Sequence, residues 1–222
     1  MMKKHTPDKP KVYLLNNPLI FTVDNFLPED VVDAIAKTAK DKEFQRAKVT
    51  PKPGETESQV TFRRTAETAT IAYKECKASH RFLHAASQVT RLHPSQAEAL
   101  SVIKYGIGAL YDPHHDTFSG DTLKLYTPEA GNRIMTSLLY LNDVQEGGET
   151  YFPLLDITVP AIKNRLLVFS TTHTGTAQSL DCTKHGSQPV MRGEKLAVNL
   201  WFRWGIYDKK MFENMSEQDK ES

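Results

Sequence analysis

The second half of the chain consists of short apolar runs separated by turn signals, and this pattern limits the possible folds more than any other feature. The runs are rich in β-branched, leucine and aromatic residues, and glycines lie between them. Because no helical pattern alternates with the runs, their order favours an antiparallel sandwich or barrel over a parallel sheet. The clearest runs are Leu100–Tyr105, Ile134–Leu141, Arg165–Phe169 and Leu196–Trp204.

The first half of the chain shows the longer period of helices. A segment that opens at Pro28 repeats apolar residues at the spacing of one helical face, and a second helical pattern runs from about Ala78 to Leu92. We therefore expect two or three helices packed outside a β core, in one domain over residues 12–210. The apolar face of the first helix is Val31, Val32, Ile35 and Ala39. The expected parts are a frayed start at 1–11, helical support over about 12–97, a β core over about 98–206 and a polar tail at 211–222.

The composition argues against several classes of protein. The 28 Lys and Arg residues balance 27 Asp and Glu residues, and a net charge of +1 gives no electrostatic footprint for duplex nucleic acid or an anionic membrane. Two cysteines are too few for a disulfide framework. No apolar run approaches the ~20 residues of a membrane helix, and the charged start lacks an apolar signal region. We expect a soluble, cytoplasmic protein with no nucleic-acid or membrane partner.

The sequence His114-His115-Asp116 is the first indication of chemistry. On a strand, residues i and i+2 point to the same face, so His114 and Asp116 can converge on one metal ion while His115 points away. A third ligand must come from elsewhere in the chain. His185, just before a glycine and a β run, is the first choice, and His173, in a turn-like segment, is the alternative.

Two imidazoles and one carboxylate form the facial triad of non-haem Fe(II) oxygenases, although the same set can hold zinc. Lys195, ten residues after His185, helps to separate these possibilities. A lysine that opens an apolar strand is usually a solvated edge residue. Near a metal, however, it can form a charge-assisted bond with the carboxylate of an anionic co-substrate.

Taken together, the motifs resemble the prolyl 4-hydroxylase-like Fe(II)/2-oxoglutarate dioxygenases over roughly residues 18–204. The order of the motifs and the ten-residue step from His185 to Lys195 make the resemblance specific to this family. The chain departs from the family at Arg203, where some relatives have histidine, and at Gly186-Ser187-Gln188, where a cysteine is common. The matching segments are Tyr105-Gly106, Tyr111 to Asp116, Arg133, Leu139 to Asn142, Glu146 to Pro153, His185-Gly186, Lys195 and Trp201 to Arg203.

The resemblance implies a mainly β fold with flanking helices, built on a double-stranded β-helix or jelly roll. It implies Fe(II) bound by His114, Asp116 and His185, with 2-oxoglutarate and O₂ as co-substrates and ascorbate in support. The implied reaction couples decarboxylation of 2-oxoglutarate to hydroxylation of a C–H bond, and a proline of a peptide or protein is the expected substrate. Lys195 would pair with the C5 carboxylate of 2-oxoglutarate, beside Tyr105 and Tyr140. The residues implied for the substrate wall are Tyr111, Arg133, Trp201 and Arg203.

Other functions stay open at this point. The chain could hydroxylate a free amino acid or another small molecule, or it could be a non-catalytic metal-binding jelly roll or a zinc hydrolase. Lys195 argues against the last two, because neither needs a buried cation. Repair of alkylated nucleic acid is disfavoured, because a single lysine rather than paired arginines follows the second histidine. The segment Thr117–Asn132 is long for a connection between strands, and we expect it to act as a lid that grips the peptide substrate. The alternative is an insertion that makes no contact with the substrate.

Overall fold

The structure, a computed structural model, describes residues 9–49, 59–60, 63–126 and 129–208. Most of the expected frayed start and the whole of the expected polar tail lie outside these residues. In chain order the helices and strands are β1 (Val12–Leu15), β2 (Ile20–Val23), α1 (Glu29–Lys40), β3 (Gln45–Arg46), β4 (Lys48–Val49), β5 (Gln59–Val60), β6 (Glu67–Ile71), α2 (Lys77–Thr90), β7 (Leu100–Tyr105), β8 (Tyr111–His114), α3 (Gly120–Tyr126), β9 (Arg133–Tyr140), β10 (Glu146–Gly147), β11 (Thr150–Phe152), β12 (Ile157–Val159), β13 (Leu166–Ser170), β14 (His185–Ser187), β15 (Val190–Arg192) and β16 (Lys195–Arg203).

Most strands belong to two antiparallel sheets. The major sheet has eight strands in the order β1-β2-β13-β9-β16-β7-β6-β3, and the minor sheet has four in the order β12-β11-β14-β8. Two short pairs, β10 with β15 and β4 with β5, complete the strands of the described residues. All these pairings are antiparallel, as the turn-separated runs predicted.

The major sheet separates two apolar cores. Successive residues of a strand point to opposite sides of a sheet, so each central strand contributes to both cores. Val102, Leu139 and Val198 belong to the outer core, which the strands share with α1 and α2. Ile103 and Ala197, one residue away on the same strands, belong to the inner core between the two sheets.

The two helices expected from the sequence cover the outer side of the major sheet. The four residues predicted for the apolar face of α1 are all buried, and α2 buries Phe82, Leu83 and Ala86. Acidic residues in the first turn of α1 and lysines in its last turn complement the helix dipole. None of the helices in the described part of the chain is long and apolar enough to cross a membrane.

Two features differ from the sequence expectation. The region expected as helical support contributes four strands, β1, β2, β3 and β6, to the major sheet in addition to its two helices. The connection Thr117–Asn132, for which no helix was predicted, contains the seven-residue helix α3. Seven residues make only about two turns, which is too short for an apolar period to show in the sequence.

Candidate active site

The residues proposed as metal ligands come together on the minor sheet. His114 ends β8 and His185 begins β14, and these two residues are direct partners in the strand pairing. Asp116 follows β8, with its Oδ1 atom 3.7 Å from Nε2 of His114 and its Oδ2 atom 3.7 Å from Nε2 of His185. One ligand atom from each residue lies within 4.8 Å of the others. The alternative, His173, is exposed and lies outside this group.

A glycine allows the two histidine-bearing strands to approach each other. A Cβ atom at Gly186 would lie 2.6 Å from the carbonyl oxygen of Tyr111, a distance at which a side chain cannot be accommodated. The close approach brings the imidazole rings of His114 and His185 to a centroid distance of 4.6 Å. The residue after the second histidine must therefore be glycine, because any side chain there would clash with β8.

Both imidazoles are oriented by the backbone. Nδ1 of His114 lies 3.0 Å from the carbonyl oxygen of Asp112, and Nδ1 of His185 lies 3.1 Å from that of Thr183. A carbonyl oxygen only accepts hydrogen bonds, so each Nδ1 must carry the proton. The lone pair of each neutral ring is then on Nε2, which points toward Asp116. Backbone hydrogen bonds of this kind fix the ligating nitrogen in metal sites.

The electrostatics of the site favour the protonation states that a metal ion requires. Burial alone raises the pKa of Asp116, but the two histidines and Arg133 outweigh burial and hold this pKa well below its ordinary value. Burial also lowers the pKa of His185 to about 4. At neutral pH the site therefore offers an ionised carboxylate and a neutral imidazole. Two imidazoles and one carboxylate fit Fe(II), and three ligands leave coordination positions open.

A buried lysine shares a cavity with the metal-ligand group. The cavity has a volume of about 270 Å³, and its lining includes His114, Asp116, His185 and Lys195. The Lys195 side chain donates hydrogen bonds from Nζ to the Gly148 carbonyl oxygen at 2.7 Å and to Ser187 Oγ at 2.8 Å.

Lys195 has no carboxylate partner within the described part of the chain. It is only 2% exposed, it forms no ion pair with the described acidic residues, and burial lowers its pKa to about 7. Burying a cation among neutral groups costs free energy, which an anionic ligand in the same cavity can offset. Lys195 therefore fits the carboxylate of a co-substrate such as 2-oxoglutarate.

Two tyrosines predicted for the co-substrate pocket flank this lysine. Nζ of Lys195 lies 5.1 Å from the ring centroid of Tyr105 and 5.5 Å from that of Tyr140. Tyr105 lines the cavity, whereas Tyr140 is not part of the lining and donates its hydroxyl to Thr150 Oγ1 at 2.8 Å. Tyr140 therefore packs against Lys195 outside the cavity lining.

Three of the four predicted substrate-wall residues line the cavity. The ring of Tyr111 stacks on His114 with 3.5 Å between centroids. The guanidinium of Arg133 lies 3.6 Å from the ring centroid of Trp201, and both side chains face the cavity. Arg133 is held by Glu98, to which it donates from Nε at 2.6 Å and from Nη2 at 2.8 Å.

The fourth predicted wall residue, Arg203, lies behind the wall. It is 3% exposed and does not line the cavity. Its Nε atom is 2.6 Å from the same Glu98 carboxylate, and its Nη1 atom donates to the carbonyl oxygen of Gly131 at 3.1 Å. The strand register also shifts between Phe202 and Arg203. Arg203 therefore lies behind the cavity wall, next to the carboxylate that also binds Arg133, and its expected contact with the substrate stays a prediction.

Comparison with known proteins gives this site a family. Residues 100–203, which include the three ligand residues and Lys195, match the 2OG-Fe(II) oxygenase superfamily. This region is a 2OG-Fe(II) oxygenase domain. The family resemblance expected from the motifs is therefore confirmed.

Curated relatives of the oxygenase domain are named as prolyl 4-hydroxylases. The human prolyl 4-hydroxylase subunit alpha-3 is 36% identical over 110 residues, which are 50% of this chain and 20% of the relative. The probable prolyl 4-hydroxylase 9 of Arabidopsis thaliana is 32% identical over 185 residues, covering 72% of this chain and 62% of the relative. The chain thus spans about a fifth of the length of the human relative.

Solved structures confirm the fold around the oxygenase domain. The viral collagen prolyl hydroxylase of Paramecium Bursaria Chlorella virus-1, in its 2OG complex, superposes with a TM-score of 0.66 at 22% identity, covering 83% of this chain and 95% of the viral one. A prolyl-4-hydroxylase of Pseudomonas putida gives a TM-score of 0.56 at 23% identity, covering 83% of this chain and 91% of that one. The expected mainly β jelly roll with flanking helices is confirmed.

Two residues next to the site were not predicted from the sequence. Glu98 binds both Arg133 and Arg203, and Thr136 donates a hydrogen bond from Oγ1 to Oδ2 of Asp116 at 2.6 Å. Thr136 could have been found, because it lies four residues before Tyr140 on β9 and strand alternation places both on the inner face. Glu98 precedes β7 and carries no comparable local signal.

The predicted lid is fastened at its base. The side chain of Asn132 accepts a hydrogen bond from the Phe118 backbone N–H and donates one to the Phe118 carbonyl, both at 2.9 Å. It also donates to the carbonyl oxygen of Ala177 at 3.1 Å. One amide thus closes the neck of the Thr117–Asn132 segment beside Asp116. Residues 127 and 128 lie outside the described residues, and closure over a substrate stays a prediction.

Proposed function

We propose that the chain is an Fe(II)- and 2-oxoglutarate-dependent dioxygenase that hydroxylates a C–H bond, with 4-hydroxylation of a proline in a peptide or protein as the preferred reaction. The observation that carries the proposal is the presence of two complementary features in one cavity. A group of two histidines and one carboxylate suited to a divalent metal faces the same space as Lys195, a buried cation with no acidic partner in the described chain.

Each part of the site receives a role in this proposal. His114, Asp116 and His185 hold Fe(II), and Lys195 binds the C5 carboxylate of 2-oxoglutarate beside Tyr105, with Tyr140 packed behind. When bound, the iron and its co-substrates supply an oxidative decarboxylation that yields succinate and CO₂ and adds one oxygen atom to a C–H bond. Ascorbate is expected to support activity.

The chain's own residues bind the co-substrate, orient the substrate and exclude water. Lys195 and the carboxylate of Asp116 are buried, so their electrostatic interactions are stronger than they would be in bulk water. Leu138 and Phe169 add apolar lining close to the metal group. Tyr111, Arg133 and Trp201 present two aromatic rings and a fixed guanidinium beside the metal group. A flat, weakly basic wall of this kind suits a proline ring and the peptide carbonyl next to it.

The names of the relatives support the choice of substrate. The human and Arabidopsis relatives are named as prolyl 4-hydroxylases, and the viral structure is named as a collagen prolyl hydroxylase. Hydroxylation of a free amino acid is the alternative, because the cavity lining alone does not distinguish a peptidyl proline from a small molecule.

The direct test uses the purified full chain with Fe(II), 2-oxoglutarate, O₂ and ascorbate. Succinate is measured with proline-containing peptides, with free proline and with no substrate, and mass spectrometry detects the gain of one oxygen atom. We expect iron-dependent succinate formation whose rate increases when a peptide is added. Turnover should be lost when EDTA removes the iron or Zn(II) replaces it. A chain that binds 2-oxoglutarate but hydroxylates only free amino acids would support the alternative. Failure to bind or consume 2-oxoglutarate with Fe(II) would exclude the dioxygenase function.

We further propose that residues 12–210 form one domain and that the protein is cytoplasmic. The strands contributed by the first half to the major sheet support a single domain. Two free cysteines, Cys76 and Cys182, are compatible with a reducing compartment. The near-zero net charge supports the absence of a nucleic-acid partner.

A further inference from the structure

Strand β9 holds Asp116 at two points. Thr136 donates a hydrogen bond from Oγ1 to the carboxylate oxygen Oδ2 at 2.6 Å, and Arg133 donates from Nη1 to the Asp116 carbonyl oxygen at 3.3 Å. Thr136 is 1% exposed and Asp116 is 7% exposed, so water does not compete freely for these contacts. A loop residue that follows β8 is thereby fastened to the opposite sheet.

The two oxygens of the Asp116 carboxylate are not equivalent. Each lies 3.7 Å from Nε2 of one histidine, Oδ1 near His114 and Oδ2 near His185. The hydroxyl of Thr136 occupies a lone pair of Oδ2 and fixes the rotation of the carboxylate about its Cβ–Cγ bond. Oδ1 lies 3.7 Å from Nε2 of His114, and with the proton of this ring on Nδ1 the Nε2 atom carries a lone pair, so Oδ1 keeps its lone pairs for a metal ion.

We propose that Thr136 is a positioning residue of the metal site, which binds Oδ2 of Asp116 and thereby presents Oδ1 to the metal. This role rests on the metal site of the proposed function. It requires the hydroxyl and not merely the shape of the side chain. The strand itself does not need the hydroxyl, because β9 is paired with β13 and β16 through backbone hydrogen bonds.

The neighbouring residue provides a matched control. Ser137 is 0% exposed and points to the opposite side of β9, and its Oγ atom has no hydrogen-bond partner within the described chain. Removal of this hydroxyl by Ser137→Ala therefore changes a buried hydroxyl on the same strand without touching Asp116.

The test measures binding of Mn(II) to the full-length chain by electron paramagnetic resonance, without 2-oxoglutarate or peptide. Residues that orient metal ligands typically change metal affinity by about 10- to 100-fold, so Thr136→Val is expected to weaken Mn(II) binding by this factor. Thr136→Ser keeps the hydroxyl and should stay within about threefold of wild type, a difference well below that range. Ser137→Ala should bind Mn(II) as tightly as wild type.

A second measurement separates positioning from general damage. With Co(II) as the probe, the visible absorption of Thr136→Val should differ from wild type, whereas that of Thr136→Ser should not, at equal thermal stability. If the valine variant does not fold, Thr136→Ala carries the same test.

Wild-type affinity for Mn(II) in a folded Thr136→Val chain would overturn the role of Thr136 and leave the proposed function intact. An equal loss in Ser137→Ala would also overturn it, because the effect would then come from the strand. If the wild-type chain bound no Mn(II), the metal site of the proposed function would fail together with this role.

Discussion

The two faces of β7, β9 and β16 have different roles although they belong to the same strands: the outer face packs in an apolar core, and the inner face lines the cavity. The outer face carries residues such as Val102, Leu139 and Leu200, which are 0% exposed and pack in the core shared with α1 and α2. The inner face carries Thr136 and Lys195, polar groups that face a metal-ligand cluster and a cavity. One residue along a strand is enough to pass from one environment to the other.

The two faces also differ in their effect on the free energy of unfolding. Burial of apolar side chains on the outer face stabilises the fold, by roughly 25 cal/mol for each Å² removed from water. On the inner face, burial of Lys195 without a carboxylate partner destabilises the ligand-free chain. Substitutions of apolar residues on the outer face and of polar residues that line the cavity on the inner face should therefore separate stability from ligand binding.

The largest expected effect is on the inner cavity, at the metal group. His185→Ala should abolish iron-dependent 2-oxoglutarate turnover, because one of three ligands is lost. His173→Ala is the control, since His173 is exposed and outside the group, and it should retain most activity. Succinate formation and circular dichroism are measured for both variants. Loss of activity in a folded His173→Ala chain, with His185→Ala active, would reverse the ligand assignment.

The next effect concerns the buried cation. Loss of one partner of a buried charge pair costs about 2–5 kcal/mol, so Lys195→Ala should weaken 2-oxoglutarate binding by about 30- to 5,000-fold. Lys195→Arg should restore it only in part, because a planar guanidinium does not replace a compact ammonium. Titration calorimetry with the Mn(II)-loaded chain gives the constants, and Mn(II) affinity should not change. An unchanged 2-oxoglutarate constant in the alanine variant would remove Lys195 from the co-substrate site.

Adjacent residues of β16 provide the sharpest comparison of the two faces. Leu200→Ala on the outer face should lower the free energy of unfolding by about 2–5 kcal/mol and leave 2-oxoglutarate affinity unchanged. Asn199 lines the cavity, and its side chain forms no hydrogen bond within the described part of the chain. Asn199→Ala should therefore change stability by less than about 0.5 kcal/mol while altering peptide turnover. Urea unfolding measures the first effect, and the opposite ranking of stabilities would contradict the division between the faces.

The smallest expected effect is a pH dependence of stability. Burial lowers the Lys195 pKa from 10.5 to about 7, with Glu149 acting weakly in the opposite direction. Below pH 7 the lysine is charged in both the folded and the unfolded chain, so the full cost of burying the charge applies. Above pH 7 the unfolded chain binds more protons, and the contribution of Lys195 to stability rises with pH up to about 10.5.

Lys195→Met removes this dependence. The metal-free variant should be more stable than wild type below pH 7, and the difference should shrink as the pH rises toward 10.5. Urea unfolding in EDTA on both sides of pH 7 measures the difference. A constant difference at all pH values would show that the lysine keeps its ordinary pKa in the fold.

The parts of the site that could be predicted from the sequence are those with a local pattern. His114 and Asp116 lie two residues apart in the chain, His114 at the end of β8 and Asp116 just after it, and Lys195 opens a strand ten residues after His185. Arg203 could be placed on β16, but its burial depends on an ion pair with Glu98, which lies far away in the chain. No local pattern indicates that a single carboxylate will bind two arginines from different strands.

The same distinction applies to the fold. The helical face ending at Ala39 repeats over three turns and was predicted, because each buried position reinforces the others. The strands β1 and β2 were not assigned to the major sheet, because the pairing of β2 with β13 joins residues more than a hundred positions apart and β1 joins the sheet through β2. Local periodicity predicts elements, whereas long-range pairing decides which sheet they join.

The alternation of side chains along β16 also determines which substitutions in this strand can change function without unfolding the protein. Codons 199 and 201 encode residues that line the cavity, whereas codons 198, 200 and 202 encode residues of the outer core. Mutations in the first set can change the accepted substrate while the scaffold keeps its melting temperature. A directed-evolution library restricted to codons 199 and 201 would therefore sample new specificities with few unfolded members.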